Sequence, residues 1–379
     1  MHLNNMKIAF VSAHPAPYRD PFLRRISANP GIETKIFSLF ADDNAHSFWN
    51  LEKRGYPSEL IGERSEHWFR LFIRLVRRVV FGGFDFIIWP GFHRPCVKAA
   101  IILCALMGKR YGFCADSIAQ PRRVGFAIAI KRFVVRHAKM VFVPGNASKA
   151  FFMREFLCPE SKICLGQYAL EGEEIEHNVL DMRKSRKDEI RHKYGLDNDE
   201  TVFLMVANMI STRHYPITAR AFVKFAEKWQ HAKFVMVGKG PELQLIDEMA
   251  SKYSCLKVIP GVSFLEMQEL YAVADVYVHG GTEPASTALV IGAISHLPLI
   301  SSSAVGCSSD VIKHGSSGAL VGNFLSIDEW MLAFDYILMR KESWREMGQL
   351  ARKLSRSLDC ERVVENFISS IINILGDEI

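Results

Sequence analysis

The sequence predicts an α/β protein made of two Rossmann-like domains, on three observations. The chain has 379 residues, more than the roughly 250–300 that one hydrophobic core serves. Hydrophobic residues make up 49% of it and charged residues 23%, the balance of a folded globular chain rather than a disordered or collagen-like one. Short β-branched and aromatic runs alternate with longer segments whose apolar residues recur at helical spacing, the pattern of a parallel sheet wrapped by helices.

In order along the chain, KIAFVSA (Lys7 to Ala13), FDFIIWP (Phe84 to Pro90), KRYGFCA (Lys109 to Ala115) and KMVFVPG (Lys139 to Gly145) are strand-like and end in turn residues. They assign a first domain to residues 1–180. The charged stretch Asp181 to Lys193 reads as a solvated linker running into a helix. The alternation restarts with TVFLMVA (Thr201 to Ala207), KFVMVGKG (Lys233 to Gly240), LKVIPG (Leu256 to Gly261), ADVYVHG (Ala274 to Gly280) and LPLISS (Leu297 to Ser302), a second domain over 181–360. The tail carries a helical stripe of Val363, Phe367, Ile371, Ile372 and Leu375 that needs a surface to cover. Helix 361–379 is expected to pack back on the first domain.

Several function classes are disfavoured. Eight cysteines, Cys96, Cys104, Cys114, Cys158, Cys164, Cys255, Cys307 and Cys360, form no CxxC pair or zinc spacing and read as buried thiols of a reducing, cytoplasmic protein. The start, MHLNNMKIAFVSAHP, lacks the apolar centre of a signal peptide. The longest apolar stretch, Val97 to Met107, is about half the roughly 20 residues that cross a bilayer. Neither domain has a GxGxxG turn after its first strand, and no Gly-Lys-Ser/Thr loop or GxSxG elbow occurs. Hydride chemistry is disfavoured, and nucleic acid is not an expected partner.

One loop concentrates ligand-binding features. After ADVYVHG come Gly280, Gly281, Thr282, Glu283 and Pro284, then a helix of small and apolar residues expected from about Ala285. Glycines let a ligand approach the backbone, Pro284 suits a first helical turn, and a helix start offers free N–H groups to a diphosphate. Ser286 and Thr287 add hydroxyl donors. Glu283 could accept hydrogen bonds from sugar hydroxyls, or merely complement the helix dipole for about 0.3–1 kcal/mol.

The run from Val237 to Val321, with VGKGPE, IPGVS, ADVYVHGGTE and the spaced Gly306, Asp310, Gly315, Gly318 and Leu320, closely resembles the donor-binding domain of the family 4 glycosyltransferases. The resemblance implies a GT-B architecture, two Rossmann-like domains facing a central cleft, and retaining transfer from a nucleotide-diphosphate sugar. It assigns Glu283 a catalytic, sugar-contacting place and puts Gly238, Gly281, Thr282, Ser286 and Thr287 at the donor. The family's second Glu falls on Ile291, which cannot accept bonds from ribose hydroxyls. VANMISTRHYPITARAFVKF (Val206 to Phe225) resembles the segment that brings an Arg and a Lys to the donor phosphates. Asn208 stands at the Arg position and Arg213 at or near the Lys, where its planar fork still suits a phosphate. Lys239 reads as structural.

In the first domain, His14, Tyr18 and Arg19 of HPAPYRDPFLRR follow the first strand at the carboxyl edge where such sheets bind ligands. They are acceptor or cleft candidates, with packing within the loop as the alternative. The family often places a His after a mid-domain strand; here Asp116, beside Ser117, or His93 stands near that point, and Asp116 is taken as the catalytic candidate. HWFRLFIRLVRRVVF (His67 to Phe81) puts Arg70, Arg74, Arg77 and Arg78 on one helical face, with Trp68, Phe69, Phe72, Ile73 and Val80 largely on the rest. KRFVVRHAK (Lys131 to Lys139) is similar. Such helices lie in an anionic membrane interface or bury their apolar face in the domain.

The sequence thus reads as a glycosyltransferase, a hexosyltransferase by preference. It takes a nucleotide-sugar donor and a glycan or lipid-linked acceptor, in cell-surface polysaccharide, lipopolysaccharide or glycolipid synthesis, at the inner face of a membrane as a peripheral protein. No cofactor or metal is expected, since no Asp-x-Asp lies at a strand end. The rival is a non-catalytic GT-B relative serving as a subunit or binding partner, marked by Ile291 and Asn208; an isomerase on the same fold ranks below both.

Overall fold

The computed structural model describes residues 6–15, 19–41, 56, 58–92, 94–118 and 125–376. The chain divides into two compact units, residues 1–170 with 358–379, and residues 171–357. In the first unit the elements run β1 (Met6–Ser12), α1 (Asp20–Ser27), β2 (Ile32–Ser38), β3 (Ser58–Leu60), α2 (Trp68–Leu75), β4 (Phe86–Trp89), α3 (Pro95–Leu106), β5 (Tyr111–Cys114), α4 (Phe126–His137), β6 (Met140–Val143), α5 (Asn146–Phe156) and β7 (Ile163–Leu165). The second has α6 (Gly172–Ser185), α7 (Lys187–Lys193), β8 (Thr201–Val206), α8 (Tyr215–Lys228), β9 (Ala232–Val237), α9 (Leu243–Ala250), β10 (Leu256–Ile259), α10 (Phe264–Val273), β11 (Val276–His279), α11 (Thr287–Ile294), β12 (Leu299–Ser302), α12 (Ser308–Val311), β13 (Gly318–Val321), α13 (Ile327–Leu338) and α14 (Trp344–Ser355). The chain then returns to the first unit as α15 (Cys360–Gly376).

Both sheets are parallel. Their strand orders are β3-β2-β1-β4-β5-β6-β7 and β10-β9-β8-β11-β12-β13. In each, the order reverses beside the unit's first strand, between β1 and β4 and between β8 and β11. Loops leaving the carboxyl ends of those neighbours diverge and leave a crevice, the usual ligand position of such sheets.

The strands are buried on both faces, which is why they read as continuous apolar runs. In β4, Ile87 and Trp89 pack with α2 and α3 residues such as Leu71 and Ile101. Phe86 and Ile88, on the other face, pack with Phe22 of α1 and Val363 and Phe367 of α15. Helix α15 lays its apolar stripe on this second face: Phe367 sits 5.1 Å from Phe22 and 5.2 Å from Phe142 between ring centroids.

The charged stretch 181–193 is not a linker. It completes α6 and forms α7 within the second unit. Met182 and Ile190 are buried, and Arg183 donates to the carbonyls of Tyr271 and Ala272. Buried Arg191 binds the carbonyls of Asp197, Asn198, Glu200 and Val273 and pairs with Asp275 at 2.9 Å. Two of its arginines therefore bind the body of the unit through backbone acceptors that sequence reading does not see.

Because Phe367 is fully buried in a tilted aromatic cluster, Phe367→Ala is expected to destabilise the first unit by about 3–5 kcal/mol. Urea unfolding followed by tryptophan fluorescence checks this.

Candidate functional site

In the second unit the crevice between β8 and β11 is occupied by a carboxylate. β11 ends at His279, Gly280 and Gly281 turn the chain, and Glu283 folds back beneath the turn. Glu283 Oε1 lies 2.6 Å from His279 Nε2. Oε2 lies 2.7 Å from Arg213 Nη1, in the loop after β8. The guanidinium N–H is not aligned with Oε2, which is shielded from solvent and has no hydrogen-bond donor. The contact is thus an ion pair that leaves acceptor capacity unused.

Glycines shape this turn through sterics. A Cβ on Gly281 would lie 1.9 Å from Glu283 Oε2, and one on Gly280 would lie 2.8 Å from the Arg213 carbonyl oxygen. Any side chain at 281 displaces the carboxylate. Burial pushes the Glu283 carboxyl up, but His279 and then Arg213 outweigh it and hold it below the ordinary value of 4.5. The Glu283 side chain is 10% exposed and that of Arg213 20%. Beside them His214 adopts φ +54° in the left-handed region, uncommon for a non-glycine residue. Burial lowers its imidazole below the ordinary value, against a raising effect from Glu283.

The helix after the turn begins later than expected. Ser286 is its N-cap and accepts from Leu289 N at 3.2 Å, so α11 starts at Thr287 and Pro284 precedes it. A serine hydroxyl outcompetes proline for the helix start because it satisfies an orphan N–H. Glu283 is therefore outside the first turn, and its place is not explained by the helix dipole. Buried Ser286 is committed to the cap, whereas half-buried Thr282 and Thr287 flank the turn. Ile291 is 3% exposed and offers no acceptor from α11.

Asn208 is exposed in the loop after β8. Gly238 serves packing: a Cβ there would lie 1.9 Å from the Ala207 carbonyl oxygen, so this glycine lets the loops after β8 and β9 touch. Next to it, Glu242 Oε2 is buried without a hydrogen-bond partner, and burial raises its carboxyl above the ordinary value.

In the first unit, the loop after β1 and the end of β5 carry the candidates. Ser12 Oγ donates to the His14 carbonyl, and Arg19 Nη1 reaches Ser12 Oγ at 3.5 Å. Asp116 accepts from Tyr168 at 3.2 Å. Arg19 and Asp116 both act on the thiol of Cys114, which burial pushes up to about 11, Arg19 lowering it and Asp116 raising it. Tyr18 and His93 lie outside the described residues. A cavity of about 400 Å³ is lined by Asp116, Ser117, Phe92, Ile102, Val134 and Phe156, with Lys98 and Lys131 also lining it.

The sequence profile of the family described as glycosyl transferases group 1 matches residues 186–354. This stretch is a group 1 glycosyltransferase domain. Alpha-monoglucosyldiacylglycerol synthase of Acholeplasma laidlawii is 26% identical over 115 residues, a match spanning 29% of this chain and 29% of that protein. A glycosyltransferase from Rickettsia africae ESF-5 superposes with a TM-score of 0.77 at 12% identity, covering 98% of this chain and 99% of its own. Anabaena HepE in complex with UDP-glucose does so with a TM-score of 0.71 at 15% identity, covering 97% and 100%. With two parallel-sheet units, these likenesses show the GT-B fold.

Within the glycosyltransferase domain the structure brings Glu283, Arg213, Gly281 and Thr282 together, for Thr282 N also donates to the Thr212 carbonyl at 3.2 Å. Sequence reading missed His279 and His214. The signal for His279 is its place four residues before Glu283 at the end of a strand, which lets it reach back across the glycine turn.

Glu283 contributes stability in its ionised form. Its folded pKa is depressed, so that contribution is complete above the unfolded value and is lost as pH falls through the folded one. The stability difference between the wild type and Glu283→Gln is expected to be constant above about pH 5 and to shrink below the ordinary carboxylate range. Urea midpoints measured from pH 7 to pH 3 test it.

Proposed function

We propose that this chain is a retaining glycosyltransferase that moves a hexosyl group from a nucleotide-diphosphate sugar to a lipid-linked acceptor. The observation that carries the proposal is the Glu283 carboxylate, buried at the β8/β11 crevice between His279 and Arg213 with one oxygen lacking a hydrogen-bond donor. In this reading Arg213 turns from Glu283 to the diphosphate, to which its fork is well matched. Oε2 then accepts from a sugar hydroxyl. The acceptor oxygen forms its bond to the anomeric carbon on the face from which the phosphate leaves, and the departing phosphate oxygen takes the acceptor proton. Side chains and backbone N–H groups hold the diphosphate without a metal.

The acceptor side rests on the first unit. Its cavity, lined by apolar side chains together with Asp116, Ser117, Lys98 and Lys131, suits an amphipathic acceptor with an anionic part; Asp116 orients the reacting hydroxyl. The partly matching relative is by its description a glycolipid synthase, which supports a lipid acceptor.

Membrane contact belongs to the same proposal, with an altered arginine face. Arg74 is engaged by Glu66 at 2.8 Å and the Ile61 carbonyl, and Arg78 by Glu59 at 2.8 Å and the Leu60 carbonyl. Beyond Leu75 the helix widens into a π turn, Val76–Val80. Leu71, Leu75, Val79 and Val80 face the core, while Trp68, Phe69, Ile73 and Phe81 are exposed, Phe69 being 50% accessible. Arg70 and Arg77 are exposed too. Aromatic and cationic side chains on one surface suit an anionic interface. Among the described residues no helix is long and apolar enough to cross a membrane.

A second reading, a non-catalytic relative, is favoured by Ile291 and Asn208, since a buried isoleucine gives the ribose no acceptor and an asparagine brings no charge to the phosphates. Calorimetric titration with UDP-glucose, GDP-mannose, ADP-glucose and the free nucleotides decides between them. The transferase reading expects saturable binding of one sugar nucleotide, unchanged by EDTA and weakened roughly 10- to 100-fold in Glu283→Ala. No binding supports the second reading. In sedimentation with phosphatidylglycerol vesicles, the wild type is expected to pellet at low salt and the triple variant Trp68→Ser, Phe69→Ser, Ile73→Ser to remain in solution.

A further inference from the structure

His279 is a buried imidazole for which the resemblance assigns no role. Its side chain is 1% exposed. It lies two residues after Tyr277 on β11, so both rings project from the same face of the strand. The rings are nearly parallel, 6.2 Å apart at 16°. Tyr271 of α10 stacks on Tyr277 at 5.3 Å and 24°. Both tyrosines are tied to backbone: Tyr271 donates to the Ala288 carbonyl at 2.7 Å and Tyr277 to that of Val206 at 3.2 Å. Of the three rings His279 meets Glu283, and through their backbone partners the tyrosines link β8, α10, β11 and α11 to it.

The bond has a direction. An ionised carboxylate only accepts, so at 2.6 Å His279 Nε2 must carry the proton. Nδ1 faces the Tyr277 hydroxyl at 3.3 Å. Oε1 is thereby fixed, the carboxylate plane is set, and Oε2 is the oxygen left over for a partner. Arg213 approaches that oxygen without an aligned hydrogen bond, and Gly281 leaves it room. A side chain needed only for packing would not require a polar ring whose far nitrogen points at a carboxylate.

We propose that His279 is a positioning residue of the donor site, donating from Nε2 to Glu283 Oε1 so that Oε2 receives a hydroxyl of the donor sugar. This rests on the donor-site reading above and goes beyond it by naming what selects the sugar-binding oxygen. His279 then acts on recognition of the sugar and not of the nucleotide. Its removal should leave the affinity for a free nucleoside diphosphate nearly unchanged and lower the extra affinity that the sugar confers.

The test compares the wild type with His279→Leu, which has no donor, and His279→Gln, which has a neutral one. For whichever sugar nucleotide of the calorimetric panel binds, the ratio of the Kd of the free nucleotide to that of the sugar nucleotide is measured. The ratio is expected to fall about ten-fold in His279→Leu, the loss of one hydrogen bond to a charged group, and to be largely restored in His279→Gln. A purely structural role would lower Tm without changing the ratio, and an unchanged ratio in folded His279→Leu overturns the proposal. Long-range proton–nitrogen NMR on histidine-labelled protein gives a ligand-free measurement should that variant fail to fold. The His279 signal, assigned by its loss in His279→Gln, is expected to show a protonated Nε2 that shifts in Glu283→Gln. An unprotonated Nε2, or one indifferent to that substitution, also overturns the proposal. If no sugar nucleotide binds the wild type, the donor-site reading itself falls and takes this role with it; binding with an unchanged ratio removes only the role of His279.

Discussion

Placing a carboxylate in a nearly solvent-free crevice costs several kcal/mol unless cations and hydrogen bonds compensate it. The second unit meets that constraint at Glu283 with partners from the two loops flanking the point where strand order reverses. His279 comes from the end of β11 and Arg213 from the loop after β8. The two loops approach closely, because the Gly280 Cα faces the Arg213 backbone and Gly281 leaves room for the carboxylate. Two glycines, a histidine, an arginine and a glutamate are thus bound into one solution. The depressed Glu283 carboxyl is the electrostatic record of it.

A second trio in the same unit shows what a satisfied version looks like. Glu176 of α6 accepts from His296 at 2.6 Å through Oε1 and from the buried Arg352 at 2.8 Å through Oε2. Both bonds are aligned, so the group ties α6 to α14 and to the turn after α11, and each carboxylate oxygen has a donor. Glu283 has the same chemical neighbours but an Oε2 without a donor. Buried polar atoms in native proteins are seldom left so. The two trios differ in that oxygen, not in the residue types.

Much of the architecture was legible because strands buried on both faces appear as uninterrupted apolar runs, as in FIIW of β4 or TVFLMV of β8. Strands β2, β3, β7 and β13 were not: β3 and β7 have three residues each, too few to hold a period, β2 breaks its apolar run with Glu33, Thr34 and Lys35, and β13 is a short run that opens on a glycine. The segment 181–193 was misread because the acceptors of Arg183 and Arg191 are backbone carbonyls, which have no letter in a sequence. At the site, Glu283 was legible from its spacing, whereas His279 ends a strand and looks like any buried residue there. Pro284 suggested a helix start that Ser286 takes instead. Arg74 and Arg78 looked free on their helix because Glu66 and Glu59 lie on segments outside it. For the arginines and for the helix start the deciding partner was backbone or lay on another segment.

The two units use one geometric device with opposite chemistry. Each gathers its candidates on the loops at the carboxyl ends of its central strands, a consequence of parallel strands and right-handed crossovers. Around β11 the loop residues are glycines and paired ions, which keep a crevice narrow and polar. In the first unit the corresponding edge opens into a cavity lined by Phe92, Ile102, Val134 and Phe156 together with Asp116 and Ser117. A compact, multiply charged ligand is best held by fixed dipoles and an arginine fork. A ligand with an apolar chain gains chiefly from the area it removes from water, about 25 cal/mol per Å². If one chain is to join a sugar nucleotide to an amphipathic acceptor, this is the division of surfaces it needs: the ionic site rigid enough to choose a sugar oxygen, and the apolar one tolerant of the acceptor's length.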